Sequence, residues 1–413
     1  MALSGSESES HVEAPERARL TVEQKRALPI IFMISVCGVA GATIVPPAIP
    51  TIAENFGIAK STAAMLLTAN PLPGIILAPV AGILADRYGR RMVLIPCLVI
   101  FGVAGGLGAF APSFWWLIAL RLLQGVGSAG MINLAVVTIG DLFEGDRLTR
   151  MMGYNAGFLT LGTTSFPLVG GLLADISWRW VFGFFWTALP IAVAGALFLP
   201  ERKITALERE QVRESGPFSS LRIPVVRRII IRGGVIFVLI FGAVLTAGPI
   251  LLSERMSASP RSIGFALTAA ALCSMIAAVN TGRIRERLHP AKSLFLAASL
   301  YVIGLSILTL SGAYWIAVIG FMFSGLADGL SIPLLQTRAT EVAPPGRRGT
   351  VVALWVSSAR IGQTSGPVLA KVGIDTLGIT ATLAGFVSIA FALAAGSGWR
   401  VGKVEADSGE HPS

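Results

Sequence analysis

Gly82-Ile83-Leu84-Ala85-Asp86-Arg87 ends one apolar run, and Gly282-Arg283-Ile284-Arg285-Glu286-Arg287, 200 positions later, ends another with the same glycine and the same acid–arginine pair. The register holds outward from this stretch in both directions. Upstream, Glu54 maps onto Glu254 and Leu67-Thr68-Ala69 onto Leu267-Thr268-Ala269. Downstream, Trp115 maps onto Trp315, Gly125 onto Gly325, Arg147 onto Arg347, Gly162 onto Gly362 and Pro167 onto Pro367. Coincidences of Leu or Ala are common between apolar helices, whereas tryptophan, proline and acid–arginine matches in one ungapped register are not. The chain reads as two copies of one unit.

Each unit is a set of membrane spans. Of 413 residues 54% are apolar and only 14% charged, a balance that excludes a soluble enzyme and a disordered regulator. Long unbroken apolar runs such as Val93 to Ala111 replace the alternation of an outer-membrane barrel, and 46 glycines suit helices that associate in lipid through small residues. Runs between charge clusters predict spans near 28–48, 61–85, 92–111, 114–140, 151–173 and 178–199, then 229–252, 263–282, 292–311, 314–340, 349–371 and 377–399. The expected organisation is a polar cytoplasmic tail over 1–27, a six-helix bundle over 28–199, a cytoplasmic linker over 200–228, a second bundle over 229–399 and a cytoplasmic tail over 400–413. Residues 1–26 have no short apolar core with a cleavage site and do not read as a signal peptide.

Six spans is an even number, so the second copy enters from the same side as the first. The fold expected is an all-α membrane protein, twelve transmembrane helices in two parallel six-helix bundles related by a pseudo-twofold along the membrane normal. In such architectures a substrate site lies between two halves that rock about it. Of the 33 Lys and Arg residues, only Lys60, Arg179, Arg255, Arg261 and Lys371 fall in outside loops, which places both termini in the cytoplasm. The net charge of +10 is therefore topology, and no nucleic-acid partner is expected. Cys37, Cys97 and Cys273 lie in apolar runs and His11, His289 and His411 in tails or a loop, so no metal site is expected.

Three motifs add detail. After span 2, Gly82, Asp86, Arg87, Gly89, Arg90 and Arg91 surround a tight turn, with Gly89 at the turn and the arginines on the cytosolic face. In span 4, Arg121-Leu122-Leu123-Gln124-Gly125-Val126-Gly127-Ser128-Ala129-Gly130 satisfies a dinucleotide fingerprint letter for letter. No strand precedes it, and the glycines read as a close-packing helix surface. In span 5, Gly162, Pro167, Gly170 and Gly171 flank a bend, with Phe166 ahead of the proline; Gly362, Gly366 and Pro367 repeat the pattern in span 11. These stretches resemble motifs A, B and C of the major facilitator superfamily, most closely its twelve-span drug/proton antiporters. The resemblance implies that Asp86 and Arg90 belong to a cytoplasmic gate, that Arg121 serves proton coupling or anionic groups in the cavity, and that the span 5 pattern marks a gating helix of an exporter. Phe166 stands where that pattern has its second glycine, and its ring is a candidate to face the cavity.

Two charges lie deep. Asp328 in span 10 is about 20 Å from the inner edge and Arg360 in span 11 about 17 Å, at 1.5 Å per residue. Burial without compensation costs roughly 2.5 to 3.5 kcal/mol, so each is a functional candidate. On adjacent antiparallel helices the two are expected within reach, either as a structural ion pair or as a proton site in which Arg360 holds Asp328 ionised. Arg121, about 10 Å deep, either joins them or snorkels to the surface. Asn70, Gln124, Asn155 and Gln363 offer neutral hydrogen bonds to a ligand, and Trp355 offers either core packing or a stacking face.

The expected function is secondary active transport by alternating access, most simply proton-coupled efflux of small amphipathic compounds. An importer or exchanger of a metabolite such as an organic anion or sugar is the alternative, and a non-transporting receptor a remote one. No nucleotide motif, H-E-x-x-H or G-x-S-x-G occurs, so neither an enzyme nor a cofactor is expected, with the proton as coupling ion. The expected setting is the cell membrane, with the bilayer and a small-molecule substrate as partners and a monomer as the working unit.

Overall fold

The computed structural model describes residues 21–200, 223–343 and 348–408. The expected tail before residue 21, most of the linker and residues 409–413 lie outside them. Among the described residues there is no strand, and twelve long helices follow in order. The first six are α1 (Val22–Phe56), α2 (Lys60–Ala85), α3 (Arg90–Phe110), α4 (Phe114–Leu142), α5 (Gly145–Ile176) and α6 (Trp178–Phe198). The second six are α7 (Pro224–Met256), α8 (Pro260–Arg287), α9 (Pro290–Leu310), α10 (Tyr314–Glu341), α11 (Arg348–Leu377) and α12 (Ile379–Ser408). Eleven of the twelve are long and apolar enough to cross a membrane on composition alone, and α11, which carries Arg360, Gln363, Thr364 and Ser365, is the exception. Polar residues on a span are tolerated where it faces a cavity or another helix rather than lipid.

Several helices start earlier than their apolar runs. The first begins at Val22 rather than near 28, because Thr21 and Gln24 form a capping box and the Gln24 amide donates to the Leu142 carbonyl at 2.9 Å. The seventh begins at Pro224, where a proline suits the first helical turn, and the fifth begins at Gly145, after the extended residue Glu144. These turns are polar enough to read as loops in a hydropathy trace, yet they continue the helices beyond the apolar stretch.

Two large hydrophobic cores form, beside a small cluster of Ala277, Ala297, Leu330 and Leu334. One draws on α1–α6, with Ile250 of α7 joining it, and the other on α7–α12. The duplication is visible in a single contact made twice. A Cβ built on Gly125 of α4 would lie 2.2 Å from the Asn70 carbonyl oxygen of α2, and one on Gly325 of α10 would lie 2.0 Å from the Ala270 carbonyl oxygen of α8. Only glycine allows either approach, and both pairs are related by the 200-residue shift. Gly127 meets α3 in the same way, its Cβ position 2.6 Å from the Cys97 carbonyl oxygen. The second bundle has one departure from regular helix. Residues Leu239–Ala247 of α7 wind as a π-helix, where Gly242 meets the Gly366 carbonyl oxygen of α11.

Candidate transport pathway

Within the first bundle, polar groups gather where α2 breaks. The helix is interrupted over Asn70-Pro71-Leu72-Pro73, where the prolines remove backbone donors, and resumes at Gly74. Opposite the break, Arg121 of α4 is 1% exposed. Its guanidinium donates to the Gly41 carbonyl of α1 at 2.7 Å, to Gln124 Oε1 at 2.7 Å and to the Leu66 carbonyl of α2 at 3.3 Å. The ring of Phe185 lies 6.0 Å away. Arg121 therefore does not snorkel. Three helices hold it through neutral oxygens, and among the described residues no carboxylate pairs with it. Asn70 and Gln124 are buried beside it, each with an amide nitrogen lacking a hydrogen-bond partner.

In the second bundle the expected pairing of Asp328 with Arg360 is not formed. Asp328 accepts from the hydroxyl of Tyr301 on α9, a side chain with no exposed surface. Arg360 instead turns toward the first bundle, its Nη1 lying 3.5 Å from the Cβ position of Gly74 on α2. Rotation about the helix axes explains the divergence. The Cβ position of Gly304 on α9 lies 2.7 Å from the Ser324 amide nitrogen, so the stripe of α10 carrying Ser324 and Asp328 faces α9. Depth along a span, read from residue counts, does not fix azimuth.

Other candidates are core groups. Phe166 is buried and stands edge-on to Phe184 of α6 at 5.5 Å, so its ring faces the peripheral helix and not a cavity. Trp355 is buried against Gly233 of α7 with its edge to Phe237 at 6.1 Å, which is the packing alternative rather than the stacking one. Asn155 is buried with its amide oxygen unpartnered, and Gln363 is half-buried one turn beyond Arg360.

Contacts between the bundles concentrate at one end, called here the outer end because the arginine-rich turns lie at the other. Along α2 and α11 they form an antiparallel ladder. Ser61 Oγ donates to Asp375 Oδ1 at 2.5 Å, and Thr68 Oγ1 donates to the Thr364 carbonyl at 3.0 Å; Arg360 against Gly74 is the innermost rung. Lys60 Nζ adds a bond to Ser253 Oγ of α7 at 2.8 Å. Along α5 and α8 the backbones touch directly. The Gly171 Cβ position is 2.6 Å from the Pro260 carbonyl oxygen, and that of Gly264 is 2.5 Å from the Pro167 carbonyl oxygen. The Arg261 amide nearby lies 3.5 Å from Asp175 Oδ1. Gly170 meets α1 instead, its Cβ position 2.0 Å from the Ile44 carbonyl oxygen, and Gly162 lies beside Phe166 and Val36. In α11, Gly362 and Gly366 press on α7 at Gly234 and Gly242.

The inner end differs. Gly82 and Gly282 have nothing within 4 Å of their Cβ positions. Gly89 turns the chain between α2 and α3 at φ 100°, a conformation that favours glycine. Arg90 pairs with Asp141 at 3.2 Å and Arg91 donates to the Ala196 and Leu199 carbonyls at the end of α6, all within the first bundle. Arg87 lies over the ring of Tyr88 at 5.4 Å, and the side chain of Asp86 is outside the described set. In the second bundle Arg285, at the end of α8, pairs with Glu341 at 2.5 Å, Glu341 being the 200-residue counterpart of Asp141. Outer bonds join the bundles, while these inner ones hold each bundle to itself. Tyr301, Ser61, Asp175 and Asp375 were not singled out from the sequence. The last two were findable, since Asp175 and Asp375 are one more pair in the repeat register.

Comparison with known proteins agrees with this geometry. The chain is 26% identical over 378 residues to the bacillibactin exporter of Bacillus subtilis (strain 168), covering 84% of this chain and 90% of the exporter. It is 23% identical over 378 residues to multidrug resistance protein 2 of the same organism, covering 89% and 94%. Its fold matches a bacterial homologue of the human lysosomal transporter Spinster, solved inward-facing and unoccupied, with a TM-score of 0.73 at 18% identity over 92% of this chain and 97% of that one. The sequence profile of the Major Facilitator Superfamily matches residues 31–256 and again 230–412, the two matches overlapping on α7. With two like-oriented six-helix bundles meeting at the outer end and a profile match that spans both, the chain belongs to the Major Facilitator Superfamily.

Proposed function

We propose that this transporter exports small amphipathic compounds across the cell membrane by alternating access, with both termini in the cytoplasm and inward proton movement as the driving force. The observation that carries the reading is the asymmetry of the interface, joined along two seams at the outer end and unjoined at Gly82 and Gly282. A two-bundle protein whose described residues fasten it at one end has an evident second state, fastened at the other. Relatives named as an exporter and a multidrug resistance protein support the outward direction.

Asp328 is the proposed proton carrier, with the Tyr301 hydroxyl as its partner in place of Arg360. Ionised, the carboxylate accepts a charge-assisted hydrogen bond; protonated, it no longer demands one, so loading a proton loosens α10 from α9. Recognition is proposed to involve the buried group around Arg121 and Asn70 and the Arg360 rung between the bundles.

The test is expression in an efflux-deficient bacterial host with a panel of toxic amphipathic compounds, followed by flux in proteoliposomes. Lower accumulation that an uncoupler abolishes is expected, as is loss of pH-driven flux in Asp328→Asn with exchange between the two faces retained. Higher accumulation than in the empty host would overturn export, and a wild-type pH-driven rate in Asp328→Asn would overturn the proton assignment.

A further inference from the structure

Arg360 is a cation with nothing to do in the folded chain. Its guanidinium reaches the seam between the bundles, half-buried against Gly74, and among the described residues neither an acid nor a hydrogen-bond acceptor meets it. Its position in the ladder is specific. Ser61 with Asp375 and Thr68 with Thr364 close the outer part of the α2–α11 seam, and Arg360 is the last rung before the inner end. It thus forms the roof of whatever enters from the inner side.

The surroundings are rich in donors and poor in acceptors. Arg121, buried in the first bundle, is likewise without a carboxylate, and the buried Asn70, one helical turn before Gly74 on α2, has an amide nitrogen with no partner. Gln363 stands one helical turn from Arg360 and its side chain makes no hydrogen bond. The deep acid that would neutralise this charge, Asp328, faces α9 and is already held by Tyr301. A guanidinium that meets no acceptor within a span is costly unless a counter-charge arrives with function.

We infer that Arg360 receives the anionic group of the transported molecule, so that the substrates include amphipathic organic anions bearing a carboxylate or similar oxyanion. The inference deepens the transport reading and rests on it, because it takes the seam between the bundles as the route. A guanidinium binds a carboxylate through two parallel hydrogen bonds, and in a site shielded from water that interaction separates an acid from its ester. A phospholipid headgroup offers similar chemistry but is held at the surface, about 17 Å from this depth.

The probes are 2-naphthoate, salicylate and decanoate, each against its methyl ester, with binding to the purified protein measured by equilibrium dialysis in detergent and again in phosphatidylglycerol vesicles. Wild type is expected to bind at least one acid about tenfold more tightly than its ester, in both settings. Arg360→Gln is expected to abolish that preference, and Arg360→Lys to restore part of it. Arg232→Gln, whose arginine bonds the Gly396 carbonyl away from the seam, is expected to leave the preference intact. Equal binding of all three acids and esters by wild type, or an unaltered preference in Arg360→Gln, would overturn the inference. Loss of the preference in phosphatidylglycerol vesicles alone would assign the site to lipid and overturn it too. Binding needs no turnover, so a normal acid preference without flux would count against transport while leaving Arg360 assigned as an oxyanion site.

Discussion

Along α5 and α8 the bundles meet backbone to backbone through Gly171, Gly264 and Pro167, whereas along α2 and α11 they meet through side chains, Ser61 to Asp375 and Thr68 to Thr364. The repeat relates the two seams. Gly171 corresponds to Lys371, Gly264 to Ala64 and Arg261 to Ser61, while Pro167 and Pro367 and the carboxylates Asp175 and Asp375 are kept. One ancestral contact has diverged into a close-packed seam, where Asp175 faces only a backbone amide, and a seam whose side chains hydrogen-bond from one bundle to the other. The difference teaches how a duplicated scaffold can separate two duties. Glycine contact sets how tightly the outer end closes, and the polar ladder sets what chemistry faces the pathway.

The sharpest way to break that comparison is to add bulk to the glycine seam. Gly264→Val places atoms where the Pro167 carbonyl oxygen already lies 2.5 Å from the Cβ position. Overpacking of roughly 3 kcal/mol would disfavour outer closure about a hundredfold. Transport is expected to fall by a similar factor, and spin-label distances across the outer end to lengthen. A normal rate would mean the seam does not set closure.

Smaller effects belong to the ladder. Thr68→Val removes a hydroxyl donor from the Thr364 carbonyl, a bond worth about 1 kcal/mol, and is expected to shift the outer-closed population about fivefold. Asp375→Asn weakens exposed contacts to Ser61 and Lys371 and is expected to change it by about twofold. The same population distances, read by pulsed electron paramagnetic resonance, check both.

The smallest expected effect is that of acid on this pair. The hydrogen bonds from Lys371 and then from Ser61 hold the Asp375 carboxyl below the usual carboxylate range. Lys371 lies on the same helix and holds this carboxyl down whether the outer end is open or closed, so only the Ser61 bond ties the shift to closure; that part favours closure above the ordinary carboxylate range and is lost as pH falls through the lowered pKa. Between about pH 5 and 8 the outer clasp is expected not to respond, so pH sensitivity in that range must come from elsewhere, with Asp328 the proposed source. Opening of the outer end near pH 6 in an Asp328→Asn background would contradict this division.

What was legible in the sequence is what lies along the helix axis. Apolar runs locate spans, the 200-residue register of Gly82, Trp115 and Pro167 shows the duplication, and glycines at 125 and 325 mark close approach in either copy. What lies around the axis was not legible. Asp328 and Arg360 were placed at similar depth, but which neighbour each faces depends on how the Gly304 and Ser324 contact rotates α10, and one sequence does not contain that angle. Phe166 failed for the same reason, since the ring fills the space toward α6. Arg121 shows the converse. Snorkelling was reasonable from depth alone, and only the convergence of Gly41, Leu66 and Gln124 on its guanidinium shows why it stays inside.

Whether the outer end must come apart for the protein to work can be asked directly by tying it shut. Ser61→Cys with Asp375→Cys, in a background lacking Cys37, Cys97 and Cys273, puts two thiols where a 2.5 Å hydrogen bond now joins the bundles. A short reducible thiol cross-linker across them is predicted to stop flux in proteoliposomes completely, with recovery on adding reductant and no effect on either single variant. Undiminished flux through the cross-linked protein would contradict the account, because substrate would then be crossing without the bundles ever separating at that end.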